Sequence, residues 1–167
     1  MSSPTVNESS PIRNLGTTAA FVGLCLIVGF LGSLSTAPAI PGWYAELNKP
    51  SWRPPNWLFA PVWTTLYVLI GVVGARLFDI QRRTRSTRAF RFWCAQLALN
   101  VLWSPVFFAL QQPALALVVI VAMWAAIVGT MRAAAPVDPL SAWLLAPYLT
   151  WVTFATALNT AIVALNS

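Results

Sequence analysis

The chain has 167 residues and a formal net charge of +6, with 58% hydrophobic and only 8% charged side chains. A soluble domain carries roughly 25% charged residues, so the composition excludes an ordinary soluble fold and, with it, a nucleic-acid role for the basic excess. Histidine is absent, and Cys25 and Cys94 both lie in apolar runs; this removes the commonest haem ligand, the commonest general base and any zinc or iron–sulfur spacing.

In chain order, residues 1–15 are polar and rich in Ser, and read as a short disordered tail. Five apolar runs follow, over about 17–37, 57–77, 90–110, 114–131 and 140–165. Each approaches the roughly 20 residues that a helix needs to cross a bilayer core. The fold expected is an all-α membrane protein, one domain over 16–167 built as a bundle of five transmembrane helices. The first run exceeds the apolar core of a signal peptide, about 7–15 residues, and is therefore taken as a span. Pro38 ends the first run, Pro54 and Pro55 lead into the second, and Pro113 is placed to open the fourth. Pro61, Pro105 and Pro147 fall inside or near the start of spans, where each is expected to kink its helix.

The connection between the first two spans, running into the second, reads WYAELNKPSWRPPNWLFAPVW and holds four of the nine tryptophans. Flanked by apolar runs, it sits at a membrane edge. Tryptophan there either anchors at the headgroups or stacks on a flat apolar ligand. Its Lys49 and Arg53 are either a solvated rim or partners for ligand carboxylates. The remaining basic residues, Arg13, Arg76, Arg82, Arg83, Arg85, Arg88, Arg91 and Arg132, all fall on the opposite side. Eight against two places the N-terminus and the QRRTRSTR connection in the cytoplasm, with the tryptophan-rich loop and the C-terminus outside. The same arginines suit anionic lipid headgroups.

Within the spans, polar and aromatic residues recur at helical spacing. Trp63 and Tyr67 share a face of the second; Asn100, Trp103 and Phe107 share one of the third; Tyr148, Trp151 and Ala155 share one of the fifth, with Asn159 a turn later. These faces are expected to converge on an apolar, aromatic cavity suited to a large flat molecule. Asn159 reads best as glue between helices, whereas Asn100 suits glue or ligand contact equally. Trp57, Trp93 and Trp143, near span ends, read as interfacial anchors, and Trp124 as packing. Cys94 and Ala98 are small enough to form a homodimer seam.

The runs WYAELNKPSWRPPNW and PVWTTLY, then AQLALNVLWSPVFF, Met123–Trp124 and APYLTWVTFATALN, closely resemble the TspO/MBR family of translocator proteins and bacterial tryptophan-rich sensory proteins. The match extends from about Gly42 to Asn159. The resemblance implies a five-helix bundle, often dimeric, that binds porphyrins such as protoporphyrin IX and synthetic isoquinolines and benzodiazepines. It places the family pocket at Trp43, Tyr44, Trp52, Trp63, Asn100, Trp103, Phe107, Tyr148, Trp151 and Ala155. It implies no metal and no resident cofactor, the porphyrin being a ligand. Animal members carry a sterol motif with a basic residue at the end of the fifth helix. Here no basic residue follows Arg132, so sterol binding is not expected and the ending looks bacterial. The function expected is a membrane receptor or carrier for tetrapyrroles. The alternative is light-dependent porphyrin breakdown through Trp63 and Trp151. The acids, Glu8, Glu46, Asp79 and Asp138, are expected near or beyond the membrane surface and supply no acid–base pair.

Overall fold

The computed structural model describes residues 11–166, with side chains from Leu15 onward. All regular structure in that range is helical. The elements are α1 (Pro11–Thr36), α2 (Trp43–Glu46), a 3-10 turn at Asn56–Leu58, α3 (Phe59–Thr84), α4 (Arg88–Ser104), a π-helical turn at Pro105–Ala109, α5 (Pro113–Ala134), α6 (Pro139–Leu144) and α7 (Ala146–Asn166). Five stretches of 22 to 29 residues are long and apolar enough to cross a membrane. At 1.5 Å per residue these reach about 33–44 Å, more than the roughly 30 Å hydrocarbon core. The chain is thus an all-α integral membrane protein with five spanning segments.

Residues 11–15, expected in the tail, form the first turn of α1, opened by a proline whose missing N–H costs nothing at a helix start. The rest of the expected tail lies outside the described residues. The three spanning prolines act differently from one another. Pro61 falls in the first turn of α3, where no earlier carbonyl needs its N–H, and it breaks nothing. Pro105 converts the end of α4 into a π turn closed by Leu110 N–H to Pro105 O. At Leu145, two residues before Pro147, the fifth span divides into α6 and α7. Arg82 and Arg83 lie in the last turn of α3, where cations suit the helix dipole; the connection to α4 is only residues 85–87.

Around the bundle the order is α1, α4, α5, α7, α3, with α3 returning to α1. In its N-terminal half, α1 meets α3 backbone to backbone: a Cβ on Gly71 would stand 2.5 Å from Val22 Cα. Only glycine permits that approach. Trp93, read from sequence as an anchor, is instead core, 2% exposed, with Nε1–H donating to Ile70 O at 3.0 Å. Its ring stacks on Phe90 and meets Phe21 edge-on, so it is buried by aromatic partners that its position near a span end does not reveal. Trp57 and Trp143 do stand exposed.

Asp138 stands immediately before the fifth span, and its side chain is not exposed. It is buried at the start of α6 and pairs with Arg76 of α3, which donates through Nη2 to Oδ1 at 2.7 Å and through Nε to Oδ2 at 2.9 Å. Burial pushes its carboxyl up, but hydrogen bonds from Arg76 and Ser141 outweigh that and hold it below the usual carboxylate range. Because α6 carries this pair, the broken fifth span is tied to α3.

Substituting Gly71→Ala should destabilise the bundle by about 1–3 kcal/mol through overpacking against Val22. Gly23→Ala, where the new methyl meets nothing within 4 Å, should stabilise α1 by about 0.5–1 kcal/mol. Thermal melts of both variants in detergent check the opposite signs.

Candidate functional site

A single polar network forms the floor of the bundle's cavity. Tyr67 Oη–H donates to Asn100 Oδ1 at 2.6 Å, Asn100 Nδ2–H donates to Tyr148 Oη at 3.0 Å, and Tyr148 Oη–H donates to Met123 Sδ at 3.3 Å. One carboxamide thus joins α3, α4 and α7, and the second tyrosine extends the link to α5. All four side chains are buried. In a bilayer no water replaces these partners, so the network fixes the helices' mutual rotation.

Above this floor lies a cavity of about 510 Å³, within the range that takes a drug-sized ligand. Of the sequence-predicted residues, Tyr44, Trp63, Tyr67, Asn100, Trp103, Phe107, Trp151 and Ala155 line it. Trp43, Trp52 and Tyr148 do not. Tyr148 is wholly buried beneath the floor, holding Asn100. Trp43 meets Phe107 edge-on at 5.8 Å. Trp52 packs on Phe154, which in turn packs on Trp151. The two loop tryptophans therefore buttress the aromatic wall from behind. The wall itself is built from aromatic pairs: Trp63 lies 5.5 Å from Tyr67, Trp103 stacks on Phe107 at 5.2 Å, and Phe59 meets Trp151 at 5.6 Å.

Sequence reasoning missed the contribution of α1. Gly29, Gly32, Ser33 and Thr36 line the cavity, and Gly29 leaves the room that the Tyr67 ring occupies. Their i, i+3, i+4, i+7 spacing of small residues was the available signal. Phe59 extends the Trp63–Tyr67 face by one more turn, a spacing the sequence already carries, whereas Met123, Leu158 and Ile162 join the lining without any polar or aromatic periodicity to mark them.

Asn159 acts as glue, accepting from Trp103 Nε1–H at 3.3 Å and donating to Pro113 O at 2.9 Å, while also facing the cavity. Trp124 has a partner, donating to Thr153 Oγ1 at 2.8 Å. Trp151 Nε1 is buried and makes no hydrogen bond.

The loop over the cavity is held from three directions. Tyr44 is buried with its ring edge-on to Phe107 and Phe108. Lys49 Nζ donates to the carbonyls of Tyr44, Ala45 and Leu47 at 2.6, 3.0 and 2.6 Å, closing the loop on itself. Burial and the nearby Arg53 draw its pKa below the ordinary lysine value. Asn48 and Asn166 bond reciprocally, Asn48 N–H to Asn166 Oδ1 and Asn166 Nδ2–H to Asn48 O, both at 2.9 Å. Lys49 is thus occupied by backbone. Arg53, exposed, donates to Asn56 Oδ1 at 3.2 Å and lies against the Tyr44 hydroxyl. Burial pushes that hydroxyl's pKa up and Arg53 draws it partly back.

Among the described residues the lining contains no carboxylate, amine, guanidinium or thiol. Its chemistry is stacking, apolar burial and neutral hydrogen bonding. Replacing Asn100 by Leu strands the Tyr67 hydroxyl and should cost about 1–3 kcal/mol. Trp124→Phe, which removes one more exposed bond, should cost less than about 1 kcal/mol. Melting curves of the two variants test that ranking.

The family model for TspO/MBR matches residues 21–165. The chain is 44% identical over 155 residues to "Tryptophan-rich protein TspO" of Chlorobaculum tepidum, covering 92% of this chain and 98% of that one. It is 38% identical to "Protein CrtK" of Rhodobacter capsulatus over 89% of this chain and 91% of that one. It is 42% identical to the human "Translocator protein" over 70% of each. The tryptophan-rich loop, the aromatic wall and the five spanning helices are those of a chain that belongs to the TspO/MBR family.

Proposed function

We propose that this membrane protein is a receptor or carrier that binds protoporphyrin IX-like tetrapyrroles and other flat hydrophobic molecules in the cavity above Asn100. The carrying observation is the wall itself. Indoles and phenyl rings from α3, α4, the π turn and α7 surround an apolar space with only neutral polar groups at its floor. A planar macrocycle gains both area burial and ring stacking there, about 0.5–1.5 kcal/mol per aromatic pair beyond the area term. At the mouth Arg53 is the cation suited to the propionates of such a macrocycle, since Lys49 is held by carbonyls.

The arginine distribution supports the N-terminus and the 85–87 turn facing the cytoplasm, with α2 and the C-terminus outside, in a bacterial cell membrane. Cys94 and Ala98 face outward from α4 and suit the seam of a homodimer.

Protoporphyrin IX should quench the tryptophan fluorescence saturably in purified protein, and Trp103→Ala should raise the Kd about tenfold, close to 1.4 kcal/mol. Trp143→Ala, at an exposed position outside the cavity, should leave it unchanged. Arg53→Gln should weaken the free diacid several-fold but not its dimethyl ester. A quench that does not saturate, or equal effects of Trp103→Ala and Trp143→Ala, contradicts the assignment. In a Cys94→Ala background an impermeant maleimide should label Ser51→Cys in intact cells and Ser86→Cys only after lysis.

A further inference from the structure

We infer that the cavity is loaded sideways from the lipid bilayer, through a slot between α1 and α3, and not through the loop above it; this rests on the binding role proposed for the cavity. The wall is unevenly covered. Its α4, π-turn and α5 members, such as Asn100, Phe107 and Met123, are 6%, 2% and 1% exposed. Its α1 and α3 members near the loop end are exposed: Phe30, Ser33 and Ala37 along one face of α1, and Asn56, Ala60 and Thr64 along one face at the start of the second span. Spacings of 3 or 4 residues put each trio on one stripe. The path of α1 explains the opening. It presses on α3 at Gly71, passes Tyr67 at Gly29, and by Gly32 has moved toward α4, where a Cβ would stand 3.4 Å from Ser104 Oγ. Beyond the Tyr67 level the two helices therefore diverge.

The slot is chemically passable to an apolar molecule. Each hydroxyl on its sides is spent on its own helix: Ser33 donates to Phe30 O at 2.6 Å, Thr36 to Gly32 O at 3.0 Å and Thr64 to Ala60 O at 2.8 Å. What faces the bilayer is methyl, methylene and ring. Only the loop end is polar, at Asn56 and Arg53, where the acidic edge of an amphipathic ligand would stay at headgroup level. The loop route, by contrast, requires parting the reciprocal Asn48–Asn166 bonds and lifting the buried Tyr44 from Phe107 and Phe108.

Stopped-flow quenching by protoporphyrin IX in phosphatidylcholine vesicles tests the route. Ala60→Trp, which fills the slot, should slow association and dissociation together by tenfold or more. Phe30→Ala, which widens it, should speed both. Cross-linking Asn48→Cys to Asn166→Cys with a short bismaleimide, in a Cys94→Ala background, should leave both rates within twofold. A cross-linked loop that slows binding tenfold, or slot variants with unaltered rates, overturns the lateral route while the binding site stands. Absence of saturable quenching in the unsubstituted protein overturns the site and the route together. Melting curves for Ala60→Trp and Phe30→Ala separate blocked access from misfolding.

Discussion

The carboxamide of Asn100 holds the bundle together at the one level where four helices must agree. Its oxygen takes the Tyr67 hydroxyl from α3 and its amide supports Tyr148 from α7, which reaches Met123 on α5. A membrane interior offers no alternative partner of comparable strength, so rotation of any one of these helices would leave a polar group bare. The aromatic wall inherits its order from this constraint. Trp63 stands one turn from Tyr67, Trp103 one turn from Asn100 and Trp151 one turn from Tyr148. Fixing the three polar residues aims the three indoles. The cavity is therefore the space left above a satisfied hydrogen-bond network, and its shape is set by that network's geometry.

Much of this was legible because periodicity reports which faces converge. In a lipid-exposed helix a polar residue is costly, so Tyr67, Asn100 and Tyr148 identify the inward face by themselves, and helical spacing carries the indoles with them. The role of α1 was hidden for the converse reason. Its contribution is made by absence of side chain, at Gly29, Gly32 and Ser33, and small residues are equally at home facing lipid. Trp93 was misread because tryptophan near a span end serves as anchor or as core, and only the three-dimensional neighbours Phe21, Phe90 and Ile70 O decide which. Asp138 likewise looked peripheral until α6 brought it to Arg76, a pairing across 62 residues.

The tryptophan-rich loop divides its labour between lining and support. Tyr44 faces the cavity, whereas Trp43 and Trp52 brace Phe107 and Phe154 from outside. Lys49 shows how a charge can be structural at a membrane edge, closing three carbonyls that the short helix α2 and the turn after it leave open. Loop and C-terminus are then joined at Asn48 and Asn166, giving the cavity a fastened roof. A fastened roof over a side that opens between two helices is a geometry suited to ligands that partition into lipid before they bind.

Photoaffinity labelling would show whether a flat hydrophobic molecule resides in the aromatic cavity above Asn100. A diazirine-bearing porphyrin would be irradiated with the protein in vesicles and the labelled peptides mapped by mass spectrometry. Modification should concentrate at residues 59–67, 100–108 and 151–159 and be abolished by excess protoporphyrin IX. Labelling spread over the lipid-facing side chains of α1 and α5 in proportion to their exposure, and insensitive to competitor, would contradict residence in the cavity.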